Sequence, residues 1–175
     1  MKQIAEVLEK HLFGEEGVQV YAILDGASVP DLLGRLPEAV EYECLYAGEL
    51  APDMQMVAPY LVRLEAGTGF TDWVLDEGWG KHWGVFVVVA AGIRAMRLHF
   101  RRFLIVHDTD AKPLIFRYYD PRVLRTYLPT CNGEELNTIF GPVLRFLAEG
   151  EDANQLLRFR RAGDKLTADV LPLGE

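Results

Sequence analysis

The sequence has few of the residues and patterns that mark covalent catalysis or membrane insertion. Its 175 residues include 2 cysteines, Cys44 and Cys131, without CxxC spacing, and a single serine, Ser28. Neither cysteine has a histidine close by in the sequence, and no G-x-S-x-G motif occurs, so no nucleophile is indicated. The longest apolar run, Val85–Gly92, is far shorter than the ~20 residues that span a bilayer. We therefore expect neither a catalytic residue nor contact with a membrane.

Motifs for metals and phosphate groups are missing as well. The 4 histidines are scattered, without the HExxH or HxxEH spacing of zinc sites. Gly67-x-Gly69 lacks the third glycine of a dinucleotide-binding loop, and Lys81 does not lie in the G-K-[ST] sequence of a P-loop. The sequence therefore predicts no metal and no cofactor.

Basic charge is scarce in the first half of the chain. The net charge is −8, which argues against a nucleic-acid partner. Residues 1–80 carry 4 basic and 15 acidic side chains, whereas residues 81–175 carry 14 and 11. The N-terminal segment is amphipathic and contains acids, so it does not resemble a signal peptide. Together with the few cysteines, this favours a cytoplasmic location.

Helical and strand patterns alternate over most of the chain. Apolar runs bounded by turn residues predict strands at Val18–Leu24, Ala58–Leu64 and Trp83–Ala90, and helical spacing separates them. We expect an α/β layered fold, in which helices flank a mixed β-sheet and a short β-rich extension follows. The predicted division is an α/β core at residues 1–142 and a C-terminal β extension at residues 143–175, packed on the same domain.

Asp25 is the best-placed residue for chemistry, because it ends a buried strand and is followed by Gly26. Strand ends of α/β sheets border the crevice where ligands bind. An aspartate before a glycine is also typical of a simple turn or helix cap, and this structural interpretation is the one we favour.

A basic helix is expected at Ile93–Leu104. Arg94, Arg97 and Arg101 share one face, flanked by Arg102 and His99, and the opposite apolar stripe consists of Ile93, Met96, Phe100 and Phe103. The arginine face is either an ordinary solvated surface or a docking face for an acidic partner.

The densest polar and aromatic segment is Arg117–Arg122. We expect a strand over Pro113–Tyr119, whose alternation places Arg117 and Tyr119 on the same face. Asp120 is expected to cap a helix that starts at Pro121. A strand-end Arg117 next to Asp25 would form a buried ion pair.

Several segments together resemble a known family: YAILDGA at 21–27, APYLVRL at 58–64, WGV at 83–85, LHFRRFL at 98–104, IFRYYDPRVL at 115–124 and FGP at 140–142. In this order, over about residues 18–148, they are similar to the domain-of-unknown-function family 4123. The resemblance implies a non-enzymatic adaptor chaperone of the bacterial type VI secretion system. Such an adaptor binds an effector toxin in the cytoplasm and helps to load it onto the VgrG spike.

The resemblance also implies a set of signature positions, namely Asp25, Arg117, Tyr119, Asp120, Pro121 and Arg122. Longer relatives have a helical lobe after the FGP segment, whereas here only 33 residues follow Pro142 and their alternation predicts strands. A short member could hold its cargo through a sheet edge or an exposed helix face.

The aromatic side chains suggest a way to hold a client protein. We hypothesise that an apolar patch containing some of them captures a client segment, because aromatic and arginine residues are enriched at interface cores. The candidates are Trp73, Trp79, Trp83, Tyr118, Tyr119, Tyr127 and Phe140. The alternative is that most of them are ordinary core residues, and for Trp83 this is the interpretation that we favour. Two other functions stay open: a small cytosolic hydrolase or transferase that uses an Asp25/Arg117 cleft, and a structural or regulatory subunit.

Overall fold

The computed structural model of the chain describes residues 2–174. The α-helices are α1 (Lys2–Phe13), α2 (Leu32–Arg35), α3 (Pro52–Val57), α4 (Gly69–Gly78), α5 (Ile93–Arg101), α6 (Pro121–Tyr127) and α7 (Gly133–Phe140). The strands are β1 (Gln19–Asp25), β2 (Tyr42–Cys44), β3 (Pro59–Leu64), β4 (Gly84–Val89), β5 (Ile105–His107), β6 (Pro113–Ile115), β7 (Val143–Glu149), β8 (Gln155–Ala162) and β9 (Lys165–Pro172). The expected α/β fold, with a sheet, flanking helices and C-terminal strands, is confirmed.

The main sheet has seven strands in the order β2-β3-β1-β4-β7-β8-β9. Every pairing in it is antiparallel, including the pairings of β1 with β3 and with β4. We expected a mixed sheet, but the described strands form no parallel pair. The reason is the position of β1. It lies between β3 and β4, so these two strands run parallel to each other without being neighbours, and α4 makes the crossover between them.

Strand alternation divides the core between the two faces of the sheet. Along β1, Val20, Ala22 and Leu24 face a cluster that includes residues of α1 and α4. Tyr21 and Ile23 face the opposite cluster, which includes residues of α5, α6 and α7. Both β1 and β4 are apolar on both faces because helices cover both sides, as the sequence predicts.

The three C-terminal strands continue the main sheet. β7 pairs with β4, and β8 and β9 follow as consecutive antiparallel neighbours. Phe146, Leu147 and Ala148 are fully buried, so β7 contributes to the same core as β1 and β4. Several β9 residues are exposed, because this strand forms one edge of the sheet.

A second, two-stranded sheet consists of β5 and β6 alone and lies outside the main sheet. The strand that we expected over Pro113–Tyr119 ends at Ile115, and a turn occupies residues 118–119. All six residues of the β5–β6 hairpin are exposed. None of the helices in residues 2–174 is long and apolar enough to cross a membrane.

Candidate functional site

Asp25 lies at the buried end of β1, and hydrogen bonds surround its carboxylate. The backbone N–H of Ala27 donates to Oδ1 at 3.0 Å, and the Ser28 hydroxyl donates to Oδ2 at 2.9 Å. The guanidinium of Arg117 also donates to Oδ2. The expected ion pair is therefore present, although only its acidic partner is buried: the Asp25 side chain is 2% exposed and that of Arg117 is 43% exposed.

Gly26 allows the chain after Asp25 to pass close to the start of β3. Its N–H donates to the carbonyl of Ala58 at 3.0 Å. A Cβ atom at this position would lie 2.5 Å from that oxygen and 2.7 Å from the carbonyl oxygen of Met56. Only a glycine after Asp25 lets the backbone at the end of β1 pack this closely against the backbone that leads into β3. This supports the interpretation of Asp25 as a structural turn residue.

Arg117 reaches Asp25 from a turn, so the expectation that Arg117 and Tyr119 share a strand face is wrong. The turn is closed by a hydrogen bond from the Asp120 N–H to the Arg117 carbonyl at 3.0 Å. Burial acts to lower the pKa of Arg117, but the Asp25 carboxylate outweighs it and raises the pKa. Tyr119 lies buried in this turn, and burial together with nearby Tyr46 raises its pKa.

Asp120 begins α6 as expected. Its Oδ1 accepts the backbone N–H of Arg122 at 2.9 Å, and Pro121 occupies the first helical turn. The Arg122 side chain also donates to both carboxylate oxygens, at 3.0 Å and 2.7 Å. Burial acts to raise the pKa of Asp120, but these bonds from Arg122 outweigh it and lower the pKa. Asp120 and Arg122 therefore hold the helix start.

The basic helix α5 forms with the expected apolar stripe, but its arginines differ in their surroundings. Arg97 is engaged within the fold, because its Nε donates to the Cys44 carbonyl at 2.9 Å and lies 3.5 Å from Glu43. Arg94 is exposed, and Arg101 is partly exposed.

His99, which we expected to flank the arginine face, does lie next to Arg102, with its Nδ1 3.3 Å from the guanidinium, but it is buried, at 6% exposed. Its Nε2 lies 2.8 Å from the Ile139 carbonyl, and burial lowers its pKa. The ring faces Gly141, where φ is +45° and a Cβ atom would lie 2.5 Å from the ring. The FGP segment therefore ends α7 with a glycine that no other residue replaces easily.

A groove next to these residues was not found by sequence reasoning. It lies between the residues that follow β2, the C-terminal end of α5 and the β5–β6 hairpin, and its volume is about 400 Å³. Tyr46, which adjoins the signature turn through Tyr119, is one of its lining residues. The sequence does contain a signal for the hairpin that borders this groove. The apolar segments 104–106 and 113–115 flank a polar turn, as the strands of a hairpin do, and neither segment has the polar residues at alternate positions that a solvent-facing strand usually has.

No group of three or more His, Cys, Asp or Glu side chains within residues 2–174 is arranged to hold a metal ion. The two cysteines are not paired with each other. Asp25 and Asp120 are the buried aspartates, and both have their hydrogen bonds within the fold.

A family profile, described as Domain of unknown function (DUF4123), matches residues 20–138. The chain belongs to this family. No curated protein and no solved structure matches the chain. The DUF4123 match contains all the signature residues, from Asp25 to Arg122, but it ends before the FGP segment and is shorter than the resemblance that we expected over residues 18–148.

The DUF4123 core uses most of these aromatic residues for packing, so the hypothesis of an aromatic capture patch is wrong for them. For Trp83, the core position that we favoured is confirmed. Trp73, Trp83, Tyr118, Tyr119 and Phe140 are all at most 9% exposed. Tyr118 also donates its hydroxyl to the Phe100 carbonyl at 2.9 Å. Apart from Tyr42, the large apolar side chains that are exposed in the described part of this DUF4123 chain are not aromatic, and they include those of the β5–β6 hairpin.

Proposed function

We propose that this protein is a non-enzymatic adaptor chaperone of a type VI secretion system. It binds an effector toxin in the cytoplasm and helps to load it onto the VgrG spike. The proposal is supported by the resemblance of the signature segments to adaptor chaperones and by membership of the DUF4123 family. Neither a cofactor nor nucleic acid takes part in this function.

The observation that carries the proposal is the exposed β5–β6 hairpin. Ile105 and Ile115, which pair across the hairpin, are 59% and 58% exposed. Val106 and Leu114 form the next pair and are exposed as well. An isolated two-stranded hairpin is marginally stable, and because successive side chains point to opposite faces, these two pairs expose apolar side chains on both faces of the hairpin. Exposed apolar surface is typical of a protein–protein contact. Binding of a partner protein would bury this surface.

The surroundings of Asp25 favour an adaptor over a hydrolase or transferase. A general base needs an oxygen that can reach a substrate proton. Both oxygens of Asp25 accept hydrogen bonds from within the fold, and the side chain is 2% exposed. Its role is to connect β1 to the turn at Arg117.

The proposal is tested by purifying a tagged copy from its native host and identifying the proteins that co-elute. We expect a VgrG-type spike protein and a toxin-like client. The matched control is the variant Leu114→Ser/Ile115→Ser, which changes only exposed positions and should retain the fold but recover less client. Recovery of neither a spike protein nor a toxin with the wild-type protein would contradict the proposal.

Asp25→Ala distinguishes the adaptor from the enzyme. An adaptor in which Asp25 is structural loses thermal stability or partner binding, since Arg117 and Ser28 lose their acceptor. An enzyme keeps its fold and loses turnover. Retained stability together with undiminished client recovery would contradict the structural role.

A further inference from the structure

The groove beside the β5–β6 hairpin has an apolar floor and apolar walls. Leu45 and Leu104, both buried, lie at its floor. Met54 and the cross-strand pair Ile105 and Ile115 line its sides and are exposed. An engineered cavity of about 150 Å³ holds one benzene molecule, so a groove of about 400 Å³ has room for two or three large side chains.

The groove also has two cationic side chains, Arg101 and Arg102. Nearly every other arginine in residues 2–174 donates to a carboxylate or a backbone carbonyl of the fold; these are Arg35, Arg63, Arg97, Arg117, Arg122, Arg125, Arg145, Arg158, Arg160 and Arg161. In the same part of the chain, Arg94, Arg101 and Arg102 have no such acceptor, and all three belong to α5 or its end. Arg102 lies 3.3 Å from Nδ1 of His99 and 5.5 Å from the centre of the Phe103 ring.

We propose that this groove binds a short segment of a client protein that carries two or three large apolar side chains flanked by carboxylates. The inference rests on the proposed adaptor function and specifies the chemistry of the segment that is bound. The apolar side chains cover Ile105 and Ile115, and the carboxylates pair with Arg101 and Arg102.

Charge complementarity selects this occupant. Of the three arginines without a carboxylate or carbonyl acceptor in the described chain, Arg101 and Arg102 lie where an apolar groove meets solvent, and Arg94 lies outside the groove lining. Carboxylates on the bound segment would supply the anionic acceptors that the fold does not provide for Arg101 and Arg102. A basic segment would be repelled, and a purely apolar ligand would leave the arginines without partners.

The test uses the full-length protein and a phage-displayed library of random 12-residue peptides as the probe. We expect selected peptides to combine large apolar residues with flanking Asp or Glu. A synthetic peptide of the selected consensus should bind measurably, more weakly at high salt, because carboxylate–arginine contacts at the rim are screened. Its counterpart with Lys in place of Asp and Glu should not bind.

Two matched variants locate the site. Arg101→Gln/Arg102→Gln should weaken binding of the consensus peptide by roughly tenfold or more. Arg94→Gln removes an unpaired arginine from the same helix, outside the groove lining, and should leave binding unchanged. Ile115→Ser, at an exposed position that the fold does not need, should also weaken binding, whereas Val170→Ser on the distant strand β9 should not.

The inference is overturned if the selected peptides lack acids, if no peptide is enriched, or if Arg94→Gln weakens binding as much as Arg101→Gln/Arg102→Gln. It is also overturned if the groove variants turn a wild-type dimer into a monomer, since a second copy would then be the occupant. The peptide test does not depend on the native partners. If no acidic, apolar peptide is selected, the groove proposal fails, but co-purification of a spike protein and a toxin would still support the adaptor function. Failure of the co-purification leaves the peptide result intact.

Discussion

Asp25 receives hydrogen bonds from its own strand end and from Arg117, which lies 92 residues later in the chain. The carboxylate is buried, so the loss of a partner exposes the remaining charge to a poorly solvating environment. Arg122 offers a direct comparison, because it also pairs with an aspartate but is 54% exposed. The two arginines of the same segment should therefore differ in their contribution to stability.

We predict that Arg117→Ala lowers the free energy of unfolding by roughly 1–3 kcal/mol, since a buried acceptor loses a charged donor. Arg122→Ala should cost about 0–1 kcal/mol, as is usual for exposed pairs. Urea denaturation of the two variants beside the wild type measures both effects. Equal losses would contradict a structural role for the Asp25–Arg117 pair.

Asp120 gives the protein a specific sensitivity to acid. Its pKa lies below the ordinary 3.8, because hydrogen bonds from Arg122 outweigh the effect of burial. A carboxylate with a depressed pKa stabilises the fold above its unfolded pKa, and this contribution is lost as pH falls through the folded pKa. Asp120→Asn retains a cap acceptor for the Arg122 N–H but removes the charge.

We predict that Asp120→Asn is less stable than the wild type near neutral pH and that this difference shrinks below pH 3.8. The measurement is urea denaturation of both proteins over a series of pH values. A difference that stays constant down to the acid limit would show that the charge of Asp120 does not contribute. Asp120→Ala, which loses the cap as well, should be less stable than Asp120→Asn by ~1 kcal/mol.

Among the strands, the β5–β6 hairpin and β4 differ most in how far their residues are buried. β4 has strands on both sides and helices on both faces, and all six of its residues are buried. β5 and β6 pair only with each other within the described chain, and all their residues are exposed. Local opening is easiest where few apolar contacts are buried.

We predict that backbone amides of β5 and β6 exchange with solvent far faster than those of β1 and β4. Hydrogen exchange followed by mass spectrometry measures this difference in the unbound protein. The consensus peptide proposed for the groove should slow exchange in the hairpin without changing β9. Hairpin protection equal to that of β4 in the unbound protein would contradict this assignment of local stability.

Element types were largely predictable from the sequence. The runs at Val18–Leu24 and Trp83–Ala90 are apolar because both of their faces are covered, and the helix cap at Asp120 follows from local hydrogen bonding. The strand predicted over Pro113–Tyr119 was too long, because the alternating pattern of side chains continues past Ile115 although the backbone turns at residues 118–119. The contact between Arg117 and Asp25 depends on this turn.

For the whole molecule, the position of β7 decides what the C-terminal segment does. β7 pairs with the central strand β4, and its Phe146 and Leu147 side chains are fully buried, on opposite faces of the sheet. β9 is an edge strand with several exposed residues. The family match ends at residue 138, so three of the seven strands in the main sheet follow the matched region.

We predict that a chain of residues 1–142 does not fold, because it lacks β7 and exposes the edge and apolar faces of β4. A chain of residues 1–163, which lacks only β9, should fold with reduced stability. Circular dichroism and light scattering of the two truncated proteins measure these outcomes. A soluble, cooperatively unfolding chain of residues 1–142 would contradict the dependence of the core on β7.

The sequence alone determined the order of helices and strands, the buried central strands and the helix caps, because each depends on residues close together in the chain. It also indicated the family through its signature segments. The tertiary structure decided which of the aromatic residues are core, how β1 separates β3 from β4, and where unpaired arginines meet exposed aliphatic residues. These features depend on segments that are distant in the chain, such as Tyr46 beside Tyr119, or Leu45 and Ile105 in the lining of one groove, which local patterns of hydrophobicity and charge do not encode.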